Sequence, residues 1–208
     1  MQAHYNLLKG DSADQSSTQV RWMRGRAPLK PLHTFLMPAP VELPCRPAND
    51  DGPLCDRADA LADVKTRFGA GPGSTADLLY FLCGGKPVAS QTTSCTRYVQ
   101  KPMTVLGVAG HMHLLGRKIK VEVNPGTPDA RTILDIPLWD FDNQGTHPIK
   151  PVHLDQYDSV KVTCTHAQWL RDRLPAFEGT VDRYVVWGEG STDEMCLGML
   201  QVAFDDGS

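Results

Sequence analysis

Apolar residues that alternate with polar ones, or stand in runs of four or five, recur through the second half of the chain. They predict strands over 103–113, 118–124, 131–136, 159–166, 184–188 and 197–204. Turn signals such as Asn124-Pro125-Gly126 and the polar stretch 140–145 separate them. Short strands of this kind, punctuated by Gly and Pro, predict an all-β fold, an antiparallel jelly-roll sandwich.

The first half reads differently. Residues 4–8 and 18–23 carry β-favouring runs joined by a Ser- and Asp-rich connection, which predicts two strands. Prolines at 28, 31, 38, 40 and 44 leave room for no more than an edge strand over 32–37. Between Cys45 and Cys95 the period becomes helical. Asp56 can cap a helix through Leu61, Val64 and Phe68 that ends at Gly69, and Ser74 with Asp77 can cap a second through Leu78, Leu79 and Leu82 that stops at Gly84-Gly85. The expected organisation is therefore 1–44 as the start of the sandwich with the tail of a preceding domain, 45–95 as a helical insertion, and 96–208 as the rest of the sandwich.

Composition narrows the partners. The 208 residues are long enough for a sizeable core, and a net charge of -3 without a dense Lys/Arg cluster argues against nucleic acid or an anionic membrane. No apolar run is long enough to span a bilayer, and the first residues lack the basic and apolar regions of a signal peptide. Six cysteines without C-x-x-C spacing predict disulfides in an oxidising compartment rather than a zinc site. Local bridges, Cys45 with Cys55 and Cys83 with Cys95, would staple the ends of the helical excursion.

Candidate chemistry centres on the stretch 110–118. If it is a strand, His111 and His113 share a face, which is half of a metal site; the plain alternative is a pair of half-exposed strand histidines. Met195, in Thr192-Asp193-Glu194-Met195-Cys196, could add a thioether, and two imidazoles with a soft sulfur favour copper over zinc. A methionine alone is more often core filler. A zinc hydrolase using His111 and His113 lacks a third His or carboxylate at a recognisable spacing.

Three ordered segments, MQAHYN at the start, HMHLLGRK over 111–118 and WGEGSTDEMC over 187–196, resemble the second half of the catalytic core of the copper type II, ascorbate-dependent monooxygenases. That family includes the peptidylglycine alpha-hydroxylating and dopamine beta-hydroxylating enzymes, and the sequence looks most like its secreted actinobacterial members. The resemblance runs from His4 almost to the C-terminus, with 45–95 as an addition. It implies two jelly-roll domains with one copper each.

Carried over by position, the resemblance implies that His111, His113 and Met195 hold the oxygen-binding copper. It implies a Cys164–Cys196 disulfide that would hold the Met195 segment against the strand containing Cys164. His4 would be one ligand of the electron-transfer copper, whose other two ligands are an adjacent His-His pair. The chain contains no His-His dipeptide, so it is expected to be the C-terminal part of a longer enzyme, or a reading frame begun at an internal Met, with the missing N-terminal copper domain as its partner. The implied reaction is ascorbate-driven activation of O2 and hydroxylation of a substrate C–H bond, in a secreted or extracytoplasmic setting. The competing reading is a non-catalytic copper-binding or interaction module.

The substrate departs from the peptidylglycine pattern. Where those enzymes place an Arg, an Asn and a Tyr against a substrate carboxylate, this chain has Ala109, Leu197 and Met199, which argues against a C-terminal glycine peptide and for a less charged ligand. Among the other histidines, His147 and His153 flank prolines and read as solvated turn residues, His33 reads as structural, and His166 could orient the site from behind it. Asp193 and Glu194 could act as an acid/base pair, but accepting backbone hydrogen bonds in the Met195 turn is the simpler role. Glu189, between two glycines, reads as turn-forming.

Overall fold

The structure is a computed structural model that describes residues 17–22, 25 and 30–205. His4 and the strand expected over 4–8 lie outside the described residues. Residues 18–22 of the second expected strand are irregular, with Val20 and Trp22 exposed and unpaired in any sheet.

The elements follow in the order β1 (His33–Pro38), β2 (Glu42–Leu43), α1 (Arg57–Phe68), α2 (Ala70–Gly73), α3 (Thr75–Cys83), β3 (Thr92–Tyr98), β4 (Met103–His111), β5 (Gly116–Val123), β6 (Arg131–Ile136), β7 (His147–Leu154), β8 (Ser159–His166), β9 (Val185–Val186) and β10 (Leu197–Phe204). Two four-stranded antiparallel sheets, in the orders β1-β10-β4-β7 and β3-β8-β5-β6, form the sandwich, and β2 pairs with β9 in a small ribbon. The chain passes repeatedly from one sheet to the other, as in a jelly roll.

Alternation builds the core. Along β8, Val160, Val162, Cys164 and His166 point inward while Ser159, Lys161, Thr163 and Thr165 point outward, and β10 repeats the pattern with Gly198, Leu200 and Val202. These side chains meet Met37, Val105, Val108, Ile119 and Val121 between the sheets. The proline-bearing strand β1 is an edge strand, as the prolines require.

Two strands carry no regular apolar alternation. β3, Thr-Thr-Ser-Cys-Thr-Arg-Tyr, is held by its β-branched residues and by pairing with β8. It begins at Thr92, so the helical excursion closes before Cys95 and that cysteine belongs to the sheet. β7 contains Pro148 and Pro151, which an edge position beside β4 tolerates; His147 and His153 are therefore exposed strand residues rather than turn residues. The C-terminal candidate over 184–188 shortens to Val185–Val186.

The helices form where the caps stand. The Asp56 side chain accepts from the Ala58 and Asp59 amides, and Gly69, at φ 85°, ends α1. Ser74 stands at the start of α3 but its hydroxyl donates back to the Ala70 carbonyl, because the short α2 occupies the preceding turn. All three disulfides form: Cys45–Cys55, Cys83–Cys95 and Cys164–Cys196. The helices are not an appendage. Ala60, Leu61 and Val64 of α1 pack with Leu79, Tyr184, Val186 and Trp187 in a second apolar cluster, against which Met195 lies.

Candidate metal centre

The segment from Gly110 to Gly116 is pinned at both ends by close packing. A Cβ on Gly110 would stand 2.9 Å from an Ile119 methyl, and one on Gly116 would meet Trp139 Cδ1 at 2.8 Å and Met112 Cβ at 2.9 Å. Between these glycines β4 ends at His111, earlier than the strand expected to reach 113. The last pair of the ladder is Leu197 with His111. Beyond it a carboxylate replaces the neighbouring strand: Glu194 Oε2 accepts from the His113 amide at 2.9 Å and Oε1 accepts from the Leu115 amide. Met112 and Leu115 turn fully into the core as a result.

The strand expected to carry both histidines thus stops at the first of them, and a turn follows. The two imidazoles nevertheless meet, edge to face, with ring centroids 5.1 Å apart. Two imidazoles sharing one ion, each nitrogen about 2 Å from it, stand at about this separation.

Each ring has one nitrogen engaged. His111 Nδ1 lies 2.7 Å from Gln144 Oε1, and Gln144 Nε2 donates to the Phe141 carbonyl at 2.8 Å. The amide orientation makes Oε1 the acceptor, so His111 carries its proton on Nδ1 and presents Nε2 as a lone pair. Gln144 was legible in the sequence only as part of a turn. His113 is 1% exposed; the Asp193 backbone carbonyl engages its ring, while Nδ1 is buried without a partner. Burial pulls its pKa below the ordinary histidine value, with the His111 ring adding to that and Glu194 opposing it. Burial thus favours the neutral ring, the form that ligates a metal.

Met195 is brought to the same end of the sandwich by its backbone. The Met195 amide donates to Glu194 Oε2 at 3.2 Å, and the buried His166 ring places Nε2 3.2 Å from the Met195 carbonyl and 3.4 Å from Glu194 Oε2. Glu194 thereby ties the His113 turn, the Met195 loop and His166 to one carboxylate. Cys196 bridges to Cys164 of β8 immediately afterwards, with both cysteines fully buried. The Met195 side chain itself is partly buried against the helix-side cluster, as are Phe68 and Leu197.

Asp193 and Glu194 are fully occupied as acceptors. Asp193 takes a fork from Arg67 of α1, at 2.8 and 2.7 Å, a bond from Arg183 and the Gly190 amide. Gly188 and Gly190 permit this, since a Cβ on either would stand 2.8 Å from an Asp193 atom. Glu189 is an exposed residue in that bend. His33 opens β1 with its ring 5.2 Å from that of Phe204, away from the pair.

The donor set decides which ion fits. Among the described residues no three His, Cys, Asp or Glu side chains converge, so His111 and His113 stand as a two-imidazole set. The bare, buried Nδ1 of His113 is an unmet polar group of the kind a metal satisfies. Two nitrogens with an added sulfur suit copper in its reduced state better than zinc or a hard cation. His4 lies outside the described residues.

On the outer face of the same sheet, Ala109 pairs directly with Met199 and Leu197 with His111. Leu36 of β1, opposite Met199, is half exposed. The strand positions beside His111 on that face are therefore apolar. The chain matches no family model and no curated protein.

Proposed function

We propose that this domain is the oxygen-activating part of a copper-dependent monooxygenase, with His111, His113 and Met195 as the copper ligands, as the sequence resemblance implies. The observation that carries the reading is the buried His113 with its unpartnered Nδ1, its ring 5.1 Å from the His111 ring. Copper there would supply O2 activation, with ascorbate as reductant, for hydroxylation of a substrate C–H bond.

The protein's own residues orient and shield. Gln144 fixes the His111 tautomer, Glu194 fixes the His113 turn through its backbone, and His166 fixes the Met195 carbonyl. Leu197, Met199 and Leu36 offer a substrate an apolar approach, and none of these positions carries a cation to receive a carboxylate, which favours a weakly charged substrate. Three disulfides suit an oxidising, extracytoplasmic setting and a secreted protein. No helix among the described residues is long and apolar enough to cross a membrane.

Competition titration with a Cu(I) chelator tests the ligand set. One Cu(I) per chain is expected, with affinity falling at least about tenfold in His113→Ala and Met195→Ala; unchanged affinity in both variants would remove the assignment. The catalytic part is read as copper-dependent, ascorbate-driven O2 consumption, with the partner domain supplied. Copper binding without O2 consumption under those conditions would leave the second reading, a copper-binding module, which the lack of a His-His pair in the sequence favours.

A further inference from the structure

A second feature lies on the far side of the Asp193 loop. Between the 3-10 turns Gln168–Asp172 and Pro175–Phe177 and the segment 179–183 is a cavity of about 340 Å³, with Arg171, Leu54, Phe177, Val181 and Thr192 in its wall. Arg46, Arg57, Arg67 and Arg183 each reach a carboxylate. Arg171 is more buried than any of them, at 7% exposure, and no carboxylate lies within ion-pair distance of it among the described residues.

Its guanidinium is held in place but left unfilled. Nε donates to Gln168 Oε1 at 2.7 Å, and the group lies over the Phe177 ring at 4.6 Å. Gln168 is itself fixed, because its Nε2 donates to the Pro44 and Arg183 carbonyls. Nη2 is buried without a partner. Burial, and next the Arg183 charge, pull the Arg171 pKa down to about 10. Asp182 also lines the cavity, but Arg46 holds its carboxylate at 2.7 and 2.8 Å and its side chain is 2% exposed. Arg183, the other guanidinium in the wall, is taken up by Asp63 and Asp193. A fixed and nearly buried guanidinium without a carboxylate, beside Leu54, Phe177 and Val181, is suited to an anion carried on an apolar body.

We infer that this cavity binds a small organic monocarboxylate, the carboxylate received by Arg171 and the apolar body by Leu54, Phe177 and Val181. The inference is independent of the copper reading. Calorimetric titration of the full chain with 3-phenylpropionate at pH 7 tests it, with 3-phenylpropanamide and inorganic phosphate as comparisons. Saturable binding with Kd below about 1 mM is expected, at least about tenfold weaker for the amide and for phosphate. Arg171→Gln should weaken phenylpropionate binding about tenfold or more. Val181→Trp, on the exposed rim, should block it with Arg171 in place, and decides the matter if Arg171→Gln does not fold. Lack of saturable binding by the natural chain, or unchanged binding in folded Arg171→Gln or in Val181→Trp, overturns the site. Phosphate binding as tightly as phenylpropionate overturns the organic ligand.

Discussion

Glu194 holds His113 by the backbone: its Oε2 receives the His113 amide at 2.9 Å although the two residues are 81 positions apart in sequence. The same carboxylate takes the Leu115 and Met195 amides, so one fully buried side chain sets the spacing between the His113 turn and the Met195 loop. Glu194→Gln keeps the shape but turns an NH2 group toward an amide donor. A loss of about 2–3 kcal/mol in urea unfolding is expected, together with weaker Cu(I) binding. A variant as stable as the natural chain would show that the carboxylate does not organise the turn.

Gln144 makes a contrasting prediction because it is exposed. Gln144→Ala should leave unfolding within about 0.5 kcal/mol of the natural chain. It should lower Cu(I) affinity by about tenfold, since His111 loses the acceptor that fixes its tautomer. Unaltered affinity would place the tautomer under some other control.

The Cys164–Cys196 bridge closes a loop of sequence separation 32 between the two sheets. Replacing both cysteines by Ala should cost about 3–4 kcal/mol on the chain-entropy estimate. Hydrogen exchange should rise at the Met195 and Leu197 amides in particular. A uniform rise across β8 and β10 would argue against a local role.

Acid stability should depend on Asp182. The Arg46 guanidinium, bonded to both of its oxygens, holds its pKa below the usual carboxylate value. The folded state therefore binds the proton less readily than the unfolded chain. The pair's contribution is complete above the ordinary Asp value and is lost as pH falls from there through the lowered folded value. In denaturation followed from pH 6 to pH 2, Asp182→Asn should be less stable at the upper end and show a shallower decline. Parallel curves for the two proteins would exclude the pair as a source of acid lability.

Much of the sandwich is written in local pattern. β6, β8 and β10 stand where alternation of Ile, Leu and Val with polar residues places them, and Asp56 with Gly69 brackets α1. β3 and β7 escape such a reading because Thr, Ser and Pro give them no apolar period; their partners in the ladder make them strands. The site divides in the same way. His111, His113 and Met195 stand out by type and spacing, whereas the early end of β4 depends on Glu194, a residue remote in sequence. The Gln144 contact and the unpaired Arg171 are likewise products of tertiary placement, invisible to periodicity.

The fork from Arg67 to Asp193 makes the helical excursion a buttress of the loop beside Met195. Cutting α1 out would strip a buried carboxylate of two of its donors and leave an undercompensated charge under that loop. The excursion is thus a working part of the sandwich end it leans on.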